Sequence, residues 1–331
     1  MHHASKNFTQ TIYHHAIVVV AKCPIPGKSK TRLIPMLGEE GSARLAKAML
    51  SDVLASLSLL CQSLDNNSSC HKVHKILFYA PADNLGRSIM SQVLQELNLV
   101  ELDAETTAKT FSEQEGWMLM PMLSTNLEAS DLSDILRDIL QRTRQLLSKS
   151  LSSSVDDGKQ GKIVFVGMDS PELPLEEIVA SLEIINDEQS CIDRECCSSS
   201  LSSQTTTLSV SEAVLCPEND GGYGMLAVPS QAPTDRVFTG IRWSDPLTAL
   251  GQLKALTDCG VPVRLGRMMN DIDEPDDLKA LCQRLQSKNQ LEGSNQANGD
   301  VLLNSSTFSG APDTGKSQHT RRALQELKLL S

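Results

Sequence analysis

The sequence predicts a single α/β domain of three layers, with helices on both sides of a central mixed, mostly parallel sheet. Three observations carry that expectation. Short β-branched or apolar runs alternate along the chain with longer segments whose apolar residues recur at three-to-four spacing. The first run, Ile17-Val18-Val19-Val20, is unbroken and so has no solvent side, as in a strand covered on both faces. Hydrophobic residues make up 40% of the 331, enough for a sizeable core.

Strands are expected at Ile17 to Ala21, Lys75 to Ala80, Trp117 to Met122, Ile163 to Val166, Ala213 to Cys216 and Tyr223 to Val228, with a short late strand at Val261 to Leu265. Between them, helical stripes run over Glu39 to Leu60, Arg87 to Leu97, Leu132 to Leu147, Leu175 to Ile185, Pro246 to Asp258 and Pro275 to Leu285. The domain is thus expected over 16–286, after a flexible arm at 1–15. Polar stretches near 65–70, 148–161 and 191–211 read as mobile insertions. Residues 287–331 turn Asn/Ser/Gly-rich and read as a disordered tail, with a short possible helix at Arg321 to Leu330.

Composition excludes several function classes. A net charge of -11 and only 3% aromatics disfavour a nucleic-acid partner, which needs cations for its backbone and rings for its bases. Nine cysteines, an odd number without a C-x-x-C pair, fit reduced thiols. The opening MHHASKNFTQTIYHH lacks an apolar signal-like region, and no apolar run approaches bilayer-spanning length. A cytoplasmic protein without a membrane partner is therefore expected. All seven histidines lie in the arm, an apparent insertion or the tail, so a Ser/Cys-His hydrolase is disfavoured. Cys70-His71 with His74 lacks the second pair that a zinc site needs.

Four motifs remain. After the first strand, a Pro/Gly loop carries Lys22, Lys28, Lys30 and Arg32 with no acid among them, and Gly27 permits a tight turn. Strand, basic loop and helix in that order form a phosphate-binding layout. Ile163 to Pro171 delivers Asp169 at the carboxyl end of a buried strand, where open α/β sheets bind ligands. Asp271-Ile-Asp273-Glu274-Pro275-Asp276-Asp277 contains a helix start, with Pro275 at the first helical position and Asp276 and Asp277 at the positive end of the dipole. That account leaves Asp271 and Asp273 over. A hard cation needs only one or two carboxylates plus substrate phosphates, so Asp273 with Asp169 would suffice. Finally, Cys216 to Gly224 forms a polar glycine turn in which Asp220 could serve as base or hydrogen-bond acceptor, although Asp-Gly-Gly is also a plain hairpin turn. Gly310 to Ser317 satisfies the Walker A pattern letter by letter, but it lies in the polar tail without a preceding strand and is read as coincidence.

In order, A-K-C-P-I-P-G-K-S-K-T-R-L, G-M-D-S-P-E-L-P, P-E-N-D-G-G-Y, F-T-G-I-R-W-S and D-I-D-E-P-D-D-L resemble the motifs of an uncharacterised transferase family found beside radical-SAM and selenoprotein genes. That family is classed as glycosyltransferase-like, with the nucleotide-diphospho-sugar transferase (GT-A type) fold. More distantly, the first and last motifs are similar to those of molybdenum-cofactor and phospholactate guanylyltransferases. The resemblance spans Ala16 to Leu285. It implies that Gly27, Lys30 and Arg32, in the loop with Lys22 and Lys28, bind donor phosphates. It further implies that Asp169 and Asp273 hold Mg²⁺ or Mn²⁺, and that Asp220, Gly221, Gly222, Trp243 and Ser244 line the acceptor side. The chain departs from the family at the middle motif, usually G-D-L-G, where Ser130-Asp131-Leu132-Ser133 stands, and at Glu274, where a capping threonine is expected.

The expected activity is transfer from a nucleotide or nucleotide-sugar donor to a small-molecule acceptor, with Lys30, Arg32 and Asp220 as the catalytic set. Nucleotidyl transfer with release of pyrophosphate is the alternative. A nucleotide-binding regulator without catalysis is the alternative of another class.

Overall fold

The computed structural model describes residues 12–67, 70–102, 115–122, 131–153, 159–182, 212–295 and 317–330. In chain order the elements are β1 (Tyr13–Lys22), a 3₁₀ turn (Thr31–Leu33), α1 (Ile34–Asn67), β2 (His71–Ala80), α2 (Asn84–Glu96), β3 (Glu101–Leu102) and β4 (Trp117–Pro121). Then come α3 (Leu132–Ser153), β5 (Lys159–Gly167), α4 (Leu175–Ser181), β6 (Ala213–Pro217), β7 (Tyr223–Pro229), α5 (Thr248–Asp258), β8 (Val263–Leu265), α6 (Pro275–Asn295) and α7 (Gln318–Glu326).

The eight strands form one sheet in the order β3-β4-β2-β1-β5-β7-β6-β8. Only β7 runs antiparallel, against both β5 and β6. β1 is the hinge of the topology: its parallel partners β2 and β5 lie on opposite sides, so the chain first builds one half of the sheet and then returns to build the other. A crevice opens at such a switch point, beyond the carboxyl ends of the strands.

Alternation along β1 explains why its apolar run is continuous. Ile17, Val19 and Ala21 enter one core with α1, α2 and α4, while Ala16 and Val18 enter a second core with α3 and α5. The sheet is therefore covered on both faces, and the chain is a three-layer α/β/α structure. A third cluster joins Leu33, Leu45 and Met49 to Ile272, Leu278, Leu281 and Leu285 of the last motif and α6, and to Leu324 and Leu330.

Several boundaries differ from expectation. The arm at 1–15 gives way to strand at Tyr13, because His14 and His15 are buried between β2 and β5. Of the stretches read as insertions, residues up to Asn67 extend α1, residues up to Ser153 extend α3, and 159–161 belong to β5. Residues 191–211 lie outside the described residues, as does the Walker-like stretch apart from Ser317.

The tail reading over 287–331 needs correction at 287–295, which extend α6, and over 317–330. There α7 docks on α1, and the buried carboxylate of Asp52 accepts hydrogen bonds from the amides of His319 and Thr320, both at 2.8 Å. A helix N-terminus has unpaired amides, and Asp52 satisfies two of them.

One helical span, Thr31–Asn66, is long and apolar enough to cross a membrane by length and composition, contrary to the sequence reading. Its most apolar window is 78% buried within the fold, as in a core helix.

Candidate functional site at the carboxyl edge of the sheet

Four chain segments meet at the carboxyl ends of β1, β5 and β6. Strand register fixes this meeting: Val20 pairs with Gly167, so the basic loop after β1 and Asp169 after β5 leave the sheet side by side. Because β7 is antiparallel, its start at Tyr223 and the end of β6 at Pro217 lie at the same edge, which brings in Glu218 and Asp220. Met269 bridges to Glu218, and the amide of Ile272 donates to the carbonyl of Asp169 at 3.2 Å, so the segment carrying Asp271 and Asp273 closes the ring.

The basic loop is tied internally before it meets any ligand. Buried Ser29 donates from Oγ to the carbonyl of Cys23 at 2.9 Å and accepts from the amide of Ile25 at 2.8 Å. Gly27 holds φ +73°, a conformation that disfavours side chains, with Glu39 packed beside it. Lys22 and Lys28 are exposed on the rim.

Lys30 turns inward. Its backbone is left-handed, with φ 47° and ψ 50°, and its side chain is only 7% exposed. Nζ donates to Asp273 Oδ1 at 2.7 Å and to Asp169 Oδ2 at 3.0 Å. Burial works against the ammonium charge, but Asp169 and Asp273 outweigh it and hold the Lys30 pKa above its ordinary value. Burial likewise pushes Asp169 up, and the Lys30 charge and hydrogen bond pull it below the usual carboxylate range. Arg32 stays exposed, 3.4 Å from Asp273 Oδ2 and 3.2 Å from Glu274 Oε1.

Opposite this pair lies a second acidic group. One carboxylate oxygen from each of Glu218, Asp220 and Asp271 falls within 4.8 Å of the others, and among the described residues this is the group of three able to share a cation. Ser170 Oγ donates to Glu218 Oε1 at 3.4 Å. Burial and the charges of Asp271, Asp169 and Asp220 push the Glu218 carboxyl up to about 9. Burial with Asp169, Asp220 and Asp273 raises Asp271 to about 6. Such carboxyls favour a cation, which relieves their mutual repulsion.

Glu218 is the site residue that motif reading did not single out. Its signal was present in P-E-N-D-G-G-Y, two positions before Asp220, but only the fold of β6 and β7 aims it at Ser170 and Asp271. Asp277, by contrast, is spent on capping: its Oδ2 accepts from the amides of Asp273 and Glu274, at 3.1 and 2.7 Å. The Asp277 side chain thereby supplies the reciprocal half of a capping box, reaching back to the amide of Glu274, where the capping threonine was expected.

On the expected acceptor side, Asp220 is exposed and its Oδ1 accepts from the amide of Gly222 at 2.7 Å. Gly221 has φ +90°, and a Cβ there would stand 1.9 Å from the Pro246 carbonyl. Its glycine is required by packing against the start of α5. Trp243 lies 6.2 Å from the Tyr223 ring, centroid to centroid, and its indole N–H donates to Ser133 Oγ at 2.8 Å. Ser133 in turn donates to Asp131 Oδ2 at 3.1 Å. The divergent middle motif therefore still reaches the Trp243 loop. Ser244 is exposed in a left-handed conformation, φ 56°.

Residues 103–245 match a family described as uncharacterized protein conserved in bacteria (DUF2064), a span that includes the Asp169, Glu218 to Tyr223 and Trp243 motifs. Among solved structures, a protein from Desulfovibrio desulfuricans G20, provisionally named a nucleotide-diphospho-sugar transferase, is 17% identical with a TM-score of 0.54, over 96% of this chain and 98% of that one. A 4-diphosphocytidyl-2C-methyl-D-erythritol synthase from Anaerococcus prevotii DSM 20548 is 10% identical with a TM-score of 0.39, over 85% of this chain and 100% of that one. No curated protein matches the sequence. The fold is of the nucleotide-diphospho-sugar transferase kind, as the motifs implied.

Proposed function

We propose that this chain is a metal-dependent transferase that takes a nucleotide-activated donor, with glycosyl transfer to a small-molecule acceptor as the reaction it serves. The observation that carries the reading is the convergence of Asp169 and Asp273 on the single ammonium of Lys30, at the mouth of a basic loop. Two carboxylates from distant segments already aim oxygens at one cation-sized position, so the residues fit Mg²⁺ or Mn²⁺. Bound there, such an ion would neutralise charge on the donor's phosphate oxygens and assist departure of the nucleoside diphosphate.

The remaining work falls to the chain's own side chains. Lys30 and Arg32 bind the donor phosphates and stabilise charge gathering on them as the sugar carbon to oxygen bond breaks. Lys22 and Lys28, on the rim, attract the anionic donor into an otherwise acidic cleft. Asp220, oriented by the Gly222 amide, receives the proton of the acceptor hydroxyl as the new carbon to oxygen bond forms. Trp243 and Tyr223 wall the acceptor side, and Gly221, Gly222 and Ser244 shape its floor.

Incubation of the purified chain with Mn²⁺ and a panel of nucleotide-sugars and nucleoside triphosphates, with analysis of the released nucleotide, tests this. Nucleoside diphosphate is the expected product. Release of pyrophosphate from a triphosphate assigns nucleotidyl transfer instead, and binding without turnover assigns a regulator. Asp169→Asn and Asp273→Asn are each expected to abolish metal-dependent nucleotide binding while the protein stays folded.

A further inference from the structure

The position that a cation would occupy between Asp169 and Asp273 is already held by a charge of the chain itself. Lys30 Nζ sits 3.0 Å from Asp169 Oδ2 and 2.7 Å from Asp273 Oδ1, with a side chain only 7% exposed. The left-handed backbone at Lys30 directs the side chain into the cleft, whereas Arg32, two residues on, points to solvent with 61% exposure.

A divalent ion bound to the same oxygens at about 2.1 Å would stand within about 5 Å of Nζ. Both charges are positive, and although Asp169 and Asp273 are 34% and 42% exposed, Lys30 itself is enclosed, so water screens the two only in part. The ion and the Lys30 ammonium therefore compete for this pair. Donor phosphate would change the balance by offering Lys30 a new anionic partner at the basic loop that begins at Lys22.

We propose that Lys30 is an internal counter-ion that locks the Asp169 and Asp273 pair until donor phosphate draws it off, so that cation and nucleotide bind with positive coupling and the cation alone binds weakly. This inference rests on the metal-dependent reading above and adds an order of assembly to it. Coupling of this kind is reciprocal: whatever the phosphate does for the cation, the cation does for the phosphate. The consequence for the cell is that the Asp169 and Asp273 pair would not be filled by free divalent ions in the absence of donor.

The test is Mn²⁺ binding to the full chain without nucleotide, read by the electron paramagnetic resonance of free Mn²⁺. Lys30→Met, nearly isosteric and uncharged, is expected to bind Mn²⁺ at least tenfold more tightly than the wild-type chain. The double variant Lys30→Met with Asp169→Asn is expected to lose that gain. Lys30→Gln, which keeps a polar end, serves in the same comparison should the methionine variant misfold. In the wild-type chain, adding UDP or GDP is expected to tighten Mn²⁺ binding beyond what the nucleotide binds in buffer. A folded Lys30 variant that binds Mn²⁺ no more tightly than wild type overturns the lock alone. A gain that survives Asp169→Asn also overturns it, since the ion would then lie at Glu218, Asp220 and Asp271. Absence of Mn²⁺ binding in every variant, with and without nucleotide, overturns the metal reading underneath.

Discussion

At the scale of single residues, exposure ranks the two inner cations of the loop. Lys30 is enclosed and shared by two carboxylates, whereas Arg32 is largely solvated, and charge-assisted hydrogen bonds weaken with solvent access. Loss of one such bond costs roughly 1.5 to 3 kcal/mol, about ten- to a hundredfold in affinity. Arg32→Ala is expected at the low end, about tenfold weaker nucleotide binding by calorimetry. Asp220→Asn is expected to leave that affinity unchanged and to lower turnover, because its carboxylate is oriented by the Gly222 amide in a separate turn and not by a residue of the basic loop. The opposite pattern would exchange the donor and acceptor sides. Gly221→Ala tests packing instead. With φ +90° and a carbonyl 1.9 Å from the new Cβ, it is expected to lower stability in urea denaturation by several kcal/mol, whereas Gly240→Ala, which meets nothing within 4 Å, costs only the φ strain of about 1 to 3 kcal/mol.

At the scale of elements, the last helix is held by burial and by Asp52. Leu324 and Leu330 sit in the cluster with α1 and α6, and each buried leucine contributes roughly 1.5 to 3 kcal/mol. Ser317 Oγ donates to the carbonyl of Pro171 at 3.1 Å, and Arg284 Nε donates to Glu172 Oε2 at 2.6 Å, so this end of the chain also braces the loop that carries Asp169. Deleting 317–331 is expected to lower stability by several kcal/mol in urea denaturation and to weaken nucleotide binding. An unchanged midpoint would mean that α7 contributes nothing to the domain.

The opposite edge of the sheet predicts an acid sensitivity. There His14 stacks on His74 and His15 on His71, with nitrogen pairs at 2.9 and 3.0 Å, and His15 Nδ1 accepts from the Lys162 amide. Burial above all, then the charges of His71, Lys162 and His14, lower the His15 pKa to about 3 from 6.5. A depressed histidine means that the unfolded chain binds the proton first, so this contribution to stability is intact above pH 6.5 and is lost as the pH falls toward about 3. Stability should drop by up to about 1.4 kcal/mol per pH unit in that window. His15→Gln should flatten the slope in chemical denaturation measured from pH 7 to pH 4. An unaltered slope would assign the acid sensitivity to other groups.

At the scale of the whole molecule, the chain concentrates mutually repelling carboxylates at the one edge where the sheet changes direction. Burial first and this crowding second raise Glu218 and Asp271, and the cost is borne by a scaffold whose cores lie on both faces of the sheet. Ligands that bind only the folded state stabilise it by mass action, about 2.7 kcal/mol at a hundredfold excess over Kd. Mn²⁺ with a nucleoside diphosphate is therefore expected to raise the melting temperature more than the sum of either alone. A merely additive shift would argue against a shared site.

The alternation of apolar periods determined the layers: seven expected strands and six expected helices are present, because period two and period 3.6 are local properties that β1 or α3 shows by itself. The basic loop and the separate acids were likewise legible, since each is a run of neighbours in sequence. What sequence did not disclose is who faces whom. Lys30 between Asp169 and Asp273, Glu218 against Ser170, and Asp52 under the amides of α7 join residues separated by 139, 243, 48 and 267 positions or more. Such contacts depend on sheet order and strand register, which arise only when distant segments pack, so the tail's short apolar stripe looked solvated until α1 gave it a surface to bury.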